Sequence, residues 1–182
     1  MGATTTKLMT FAEFEQLPDE VCRRHELRHG ELVEVPPPQH MHRLIQDRLV
    51  ELLKPLAGNG YVGIEIAFRA LPQYEYRIAD VAYVTRERWE RIADKDNLRG
   101  APELVIEILS PSNTRAMMRE KEVLCLGNGC LEFWVLDEKK RQVTVSTPNG
   151  VAITCHSGQT IPLRLFGDAS LQVDRIFDTR SM

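Results

Sequence analysis

The sequence lacks the features that mark a membrane protein, a secreted disulfide scaffold or a polyanion-coating protein. No apolar run approaches the ~18 to 20 residues needed to cross a bilayer. The opening residues, MGATTTKLMT, have neither the basic start nor the apolar stretch of a secretory signal. A soluble, cytoplasmic protein with no membrane partner is therefore expected. Met1-Gly2 followed by Thr6 only loosely fits a myristoylation pattern, and cloning also produces such a start. The four cysteines, Cys22, Cys125, Cys130 and Cys155, form no C-x-x-C pair, so neither a disulfide framework nor a zinc site is indicated. Cys125 and Cys130 sit in apolar stretches, where a reduced thiol behaves as a small hydrophobe. Excess positive charge is missing too. A net charge of −3 argues against a surface that grips phosphates everywhere, so any nucleic-acid contact must be local. Internal repeats and low-complexity tracts are absent.

What is present is enough apolar residue for one core: 43% of 182 residues, near the usual length of a single domain. The expected organisation is a loose segment over 1–10 followed by one domain over 11–182. Thr10 with Glu13 three residues later reads as a capping box for a short helix that docks by Phe11 and Phe14. HELRHGELVEV alternates around Gly30 as a hairpin, and Pro36 to Pro38 then force an extended connection. Leu44, Ile45, Leu49, Leu52, Leu53 and Leu56 have helical spacing and predict a helix over 42–56. YVGIEIAF predicts a strand with Val62, Ile64, Ile66 and Phe68 on one face and Gly63 and Glu65, solvent-facing, on the other. RIADVAYV (77–84) and ELVIEILS (103–110) predict two more strands, the second covered on both faces. Between them the sequence predicts a polar excursion with one short helix. Thr114 to Leu126 predict a helix stopped by Gly127-Asn128-Gly129. LEFWVLD and RQVTVST predict a strand pair, and short strands and loops follow. This order predicts an α/β fold, a mixed sheet with helices on its faces. A basic cluster, Arg23, Arg24, His25, Arg28 and His29 followed by His40, His42, Arg43 and Arg48, is either a local phosphate site or a solvated loop with its helix flank.

Three charges stand where apolar residues belong. Glu107 has Ile106 and Ile108 beside it and Val105 and Leu109 on its own face. Asp80 shares an alternating face with Ile78, Ala82 and Val84. Lys121 has Met117 and Met118 one turn before it and Leu124 and Cys125 one turn after, which sets its stem inside the apolar stripe. A buried unpaired carboxylate costs several kcal/mol or takes up a proton, so something must compensate each charge. One explanation is a structural salt bridge between Lys121 and a carboxylate, with the third charge near an edge. The other is convergence: two carboxylates bind a divalent cation, and the lysine steers a bound water or stabilises charge developing on phosphorus. Oxygen ligands alone favour Mg²⁺ or Mn²⁺ over zinc.

An acidic residue in the second core strand, another in the third and a lysine shortly after resembles the PD-(D/E)XK nuclease superfamily. More closely, HELRHGELVEV, RIADVAYV, ELVIEILSPS, REK and GCLEFWVLD, in that order over roughly residues 10 to 177, are similar to the Uma-type family of bacterial putative restriction endonucleases. The resemblance implies a restriction-endonuclease-like mixed β-sheet flanked by helices. It implies Asp80 and Glu107 as metal ligands, Lys121 as the catalytic lysine, Mg²⁺ or Mn²⁺ as cofactor and DNA as partner. Leu109 stands where the usual E-x-K lysine would fall, so the lysine is carried instead by the following helix. Ala79 occupies the usual proline position before Asp80, and Cys125 the usual tyrosine position after Lys121. Glu26, Glu31 and His42 also match family-like positions, one of the glutamates as a further metal contact or both as solvated hairpin residues, His42 as a phosphate contact or as a capping or surface-exposed residue. Ser110 and Ser112 read as turn and cap groups.

Two functions of different class follow. The leading one is a Mg²⁺-dependent endonuclease hydrolysing phosphodiester bonds of DNA. The other is a nuclease-derived interaction or structural protein without catalysis, such as a homodimer, in which the three charges only hold the core together. A metal-dependent hydrolase of a small phosphorylated substrate is a third.

Overall fold

A computed structural model describes residues 8–93 and 96–179. The expected loose start therefore lies, over residues 1–7, outside the described residues. Helix α1 (Phe11–Phe14) begins at the expected capping box: Glu13 N–H donates to Thr10 Oγ1 at 3.2 Å and Thr10 N–H donates to Glu13 Oε2 at 2.8 Å. Phe11 and Phe14 are buried. After α2 (Asp19–Cys22), strands β1 (His25–Arg28) and β2 (Glu31–Glu34) form the expected antiparallel hairpin. Its two-residue turn, His29 at φ +49° and Gly30 at φ +80°, has the double positive φ that matches strand twist. A Cβ on Gly30 would come within 2.7 Å of the Leu8 side chain. Gly30→Ala is therefore expected to lower stability by about 1–2 kcal/mol, measured as a shift of the urea midpoint with an unchanged m-value.

Helix α3 (His40–Leu53) starts two residues earlier than its apolar spacing showed, because Gln39, after the proline run, is still extended and acts as the cap. It also ends earlier, passing into a 3-10 turn over Lys54–Leu56. Pro55 has no N–H to continue the ladder. Strands β3 (Tyr61–Arg69) and β4 (Arg77–Val84) pair antiparallel, followed by α4 (Arg86–Glu90) and β5 (Leu98–Arg99), which adds to β3 in parallel. Two residues carry no detectable period, which is why β5 went unseen in the sequence. Then come β6 (Leu104–Ile108), α5 (Arg115–Leu126), β7 (Glu132–Asp137), β8 (Gln142–Ser146) and β9 (Ala152–His156), the small pair β10 (Thr160–Pro162) with β11 (Ser170–Gln172), and α6 (Val173–Phe177).

The main sheet has seven strands in the order β5-β3-β4-β6-β7-β8-β9, with β6 and β7 parallel and bridged by α5. β6 is buried at every position, as its unbroken apolar run requires. One face packs α3 and α6 through Ile45, Leu49, Leu53, Ile106, Trp134 and Ile176. The other packs α5 through Phe68, Ala79, Val105, Cys125 and Phe133. The fold is thus a mixed sheet flanked by helices, as expected. Among the described residues no helix is long and apolar enough to cross a membrane.

The two central strands depart from simple alternation. Val62 and Ile64 pack toward α3, whereas Ile66 and Phe68 pack toward α5. Opposite them Val81 and Tyr83 face α3, whereas Ala79 faces α5 together with Ala82 and Val84. The reversal falls at Glu65, which has φ +52°, and at Asp80, the position opposite it between the pairs Ile64↔Val81 and Ile66↔Ala79. A non-glycine residue held in that region costs roughly 1–3 kcal/mol. The strand faces read from alternation are corrected accordingly: the four apolar residues of β3 divide between two cores, and Asp80 does not share a face with Ala82 and Val84.

Candidate functional site

A fork in the sheet assembles the site. β4 and β6 pair at Tyr83↔Leu104, Ala82↔Val105 and Val81↔Ile106, and pairing then stops. The next positions in register are Asp80 and Glu107, so two carboxylates stand at the point where the strands part. Asp80 Oδ2 accepts the Ile108 N–H at 2.7 Å, satisfying a donor that the splayed ladder has left free.

Lys121 reaches the same fork from α5. Its residue is 5% exposed, and its Nζ lies 2.8 Å from Glu107 Oε1 and 3.5 Å from Glu26 Oε1 and donates to Ile78 O at 2.7 Å. The Glu107 contact is a close, buried ion pair. The sequence left open which carboxylate Lys121 meets, and the structure gives Glu107 as the nearest. Asp80 couples to both electrostatically, but its direct partners are elsewhere. It is about a quarter exposed, with His42 Nε2 at 3.0 Å from Oδ1. Its expected burial among apolar neighbours is thereby corrected: the face reversal turns it into the fork.

The sequence leaves Glu26 as either a further metal contact or a solvated hairpin residue. It is buried rather than solvated, because Leu27 forms an antiparallel bridge with Tyr76 and draws the hairpin over the start of β4. Its Oε1 accepts the Ile78 N–H at 2.9 Å and its Oε2 pairs with Arg28 Nε at 2.7 Å. Glu26 and Lys121 thus hold the N–H and C=O of the same residue. Glu31 remains exposed on β2. Gln46, buried on α3, donates from Nε2 to Asp80 O at 3.0 Å; its position in the apolar helical stripe was the available clue.

Two carboxylates therefore share Lys121, and Asp80 acts on it from a distance. Burial pushes the Glu107 carboxyl up, Lys121 pulls it back and Asp80 pushes it up again, leaving it at about 7. Burial alone would lower Lys121, but Glu107 and Glu26 outweigh it, so the ammonium stays protonated at neutral pH. Glu26 is held below the ordinary carboxylate range: burial opposes this, but Lys121, Arg28 and the Ile78 amide prevail. Burial likewise opposes protonation of His42, and Asp80 overrides it.

Behind Lys121, Arg77 is almost wholly buried, pairing with Glu75 Oε2 at 2.7 Å and with Glu120 Oε1 at 2.6 Å. His29 bridges the same glutamates, Nδ1 to Glu75 at 2.7 Å and Nε2 to Glu120 at 2.8 Å. By donor type His29, Glu75 and Glu120 could hold a metal, yet Arg77 already occupies both carboxylates. The basic cluster of the sequence is likewise mostly engaged: Arg28 with Glu26, His25 with Val21 O, His29 as above, His42 with Asp80, Arg43 with Glu65 and Arg48 with Glu51. Ser110 and Ser112 hydroxyls bond each other, and Ser110 also bonds Asn113, closing the turn after β6.

Comparison with known proteins agrees with this architecture. Residues 11–174 match the family Uma2, described as "Putative restriction endonuclease". No curated protein matches the sequence. Among solved structures, one similar in fold is described as a putative nuclease belonging to DUF820 from Anabaena variabilis ATCC 29413. It has a TM-score of 0.79 and 20% identity, over 94% of this chain and 98% of that one. At that identity the likeness is one of fold.

Proposed function

The chain belongs to the Uma2 family of putative restriction endonucleases, and from that membership and the fork we propose a metal-dependent endonuclease that hydrolyses phosphodiester bonds of DNA. In this reading Asp80 and Glu107 are the ligands for Mg²⁺ or Mn²⁺ and Lys121 is the catalytic lysine. The observation that carries it is the placing of Asp80 and Glu107 side by side where β4 and β6 stop pairing, with Lys121 at the same point. Lys121 pairs with Glu107 at 2.8 Å, while burial and the nearby Asp80 charge leave the Glu107 carboxyl pushed up to about 7. Two neighbouring carboxylates, one of them about a quarter exposed, are a donor type that suits a hard divalent cation. Bound there, the cation would supply Lewis acidity and a bound water of lowered pKa.

The remaining chemistry belongs to the chain. Lys121, kept protonated, is unsuited to act as a general base; it places positive charge where negative charge develops on the phosphate. Glu26 is a positioning residue that, with Ile78 O, fixes the ammonium at the fork. The Ile108 amide fixes one Asp80 oxygen and so orients the other. Asp80→Asn is the direct test, because the amide can still accept from Ile108. Calorimetric titration with Mn²⁺ is expected to show binding to the wild type and loss of at least about tenfold in affinity for the variant, with cooperative unfolding preserved. Cleavage of duplex DNA in Mg²⁺ should disappear with it. A wild-type protein that binds no divalent cation and cuts no DNA would falsify the proposal.

A further inference from the structure

The strain at Glu65 has a structural consequence at the fork. Its left-handed backbone lies at the position opposite Asp80, and its Oε1 receives Arg43 NH2 at 2.7 Å. Asp80 receives His42 at 3.0 Å. Consecutive basic residues in the first turn of α3 therefore hold neighbouring carboxylates on β3 and β4. The two ion pairs differ in openness: the His42 side chain is 14% exposed, whereas Arg43 is 35% and Glu65 45% exposed. Arg28, Arg77 and Lys121 are held by carboxylates that are largely buried or multiply bonded, so they are poorly placed to exchange partners with an incoming polyanion. Arg43 can do so, because an exposed ion pair contributes little net stability and a guanidinium matches two phosphate oxygens as well as it matches a carboxylate.

Resting on the nuclease reading above, we propose that Arg43 grips the phosphodiester backbone of DNA at the mouth of the fork, and that Glu65 holds this guanidinium when DNA is absent. Glu65 is then a competitor for the substrate phosphate, set in place by a backbone conformation that an ordinary solvated strand residue has no need to adopt. Removing it releases Arg43; removing Arg43 removes the contact.

Fluorescence anisotropy of a labelled DNA duplex, in EDTA to prevent turnover and repeated across a salt series, tests this. Glu65→Gln is expected to tighten binding by about three- to fivefold, the range set by an exposed ion pair. Arg43→Ala should weaken binding and reduce the magnitude of the salt slope by about one. The double variant should bind like Arg43→Ala, since without Arg43 nothing remains for Glu65 to withhold. Glu65→Gly, which keeps the left-handed conformation without strain, should behave like Glu65→Gln and guards against a folding artefact. Unchanged duplex affinity in Glu65→Gln or in Arg43→Ala overturns the inference. Weakened Mn²⁺ binding in Glu65→Gln also overturns it, because Glu65 would then be a ligand. If the wild type binds Mn²⁺ through Asp80 while both variants match it on DNA, this inference alone fails; if it binds neither Mn²⁺ nor duplex, the nuclease reading fails with it.

Discussion

Metal-free Glu107→Gln is expected to be more stable than the wild type by about 2–3 kcal/mol at pH 8 and close to it at pH 4. The carboxyl has an ordinary value of 4.5 and is raised to about 7 in the folded protein. A raised acid pKa means that the folded state binds the proton more tightly than the unfolded one. Its contribution is therefore fully present below 4.5 and is lost as pH rises through 7. Glutamine mimics the protonated form and removes that loss. Lys121 keeps Ile78 O and Glu26 as partners in the variant, which limits the penalty of losing the third. Urea unfolding in EDTA across pH 4 to 8 measures the effect, and a variant less stable than wild type at pH 8 would show that the Lys121 pair outweighs burial. With Mn²⁺ added the order should change. The wild type should gain stability in proportion to the logarithm of metal concentration above its Kd, while the variant gains little. Such a gain in stability on truncating a site is what a binding residue held in an unfavourable environment produces.

Lys121→Met is expected to act in the opposite direction, lowering stability by about 3–5 kcal/mol at pH 8. Replacing both members of an isolated buried ion pair by apolar residues often costs little, but removing one member leaves the other charge buried and unpaired. Here methionine leaves Glu26, Glu107 and the Ile78 carbonyl without the ammonium that all three face. The deficit should shrink as pH falls toward 5. Lys121 is what holds the buried Glu107 carboxyl down, so without it that carboxyl rises further, and protonation then removes the uncompensated charge. Combining Lys121→Met with Glu107→Gln should recover part of the lost stability at pH 8, because the carboxylate left without a cation is gone while Glu26 keeps Arg28. Denaturant midpoints at the two pH values check this, and a Lys121→Met protein as stable as wild type at pH 8 would show that the buried carboxylates do not depend on the ammonium. DNA cleavage should be lost in the single and the double variant alike.

The sequence by itself determined most of the framework. Period-3.6 and period-2 patterning placed α3, α5, β4, β6 and β7; the capping box placed α1; the apolar run of β6 placed it in the sheet interior. Patterning also exposed Glu107 and Lys121, because a charge at a fully apolar position stands out in one dimension, and those two do meet at 2.8 Å. What the tertiary structure decided is where strands stop pairing and which face a residue takes after a left-handed break. Alternation assumes that every residue turns the chain over; at Glu65 and Asp80 this fails, and no residue type in RIADVAYV or YVGIEIAF announces it. The fork that presents Asp80, the bridge from Leu27 to Tyr76 that brings Glu26 to Lys121, and the pairing of Arg43 with Glu65 all join positions distant in the chain. Such contacts depend on register and strand termination, which arise only when the whole sheet closes against its two helical layers.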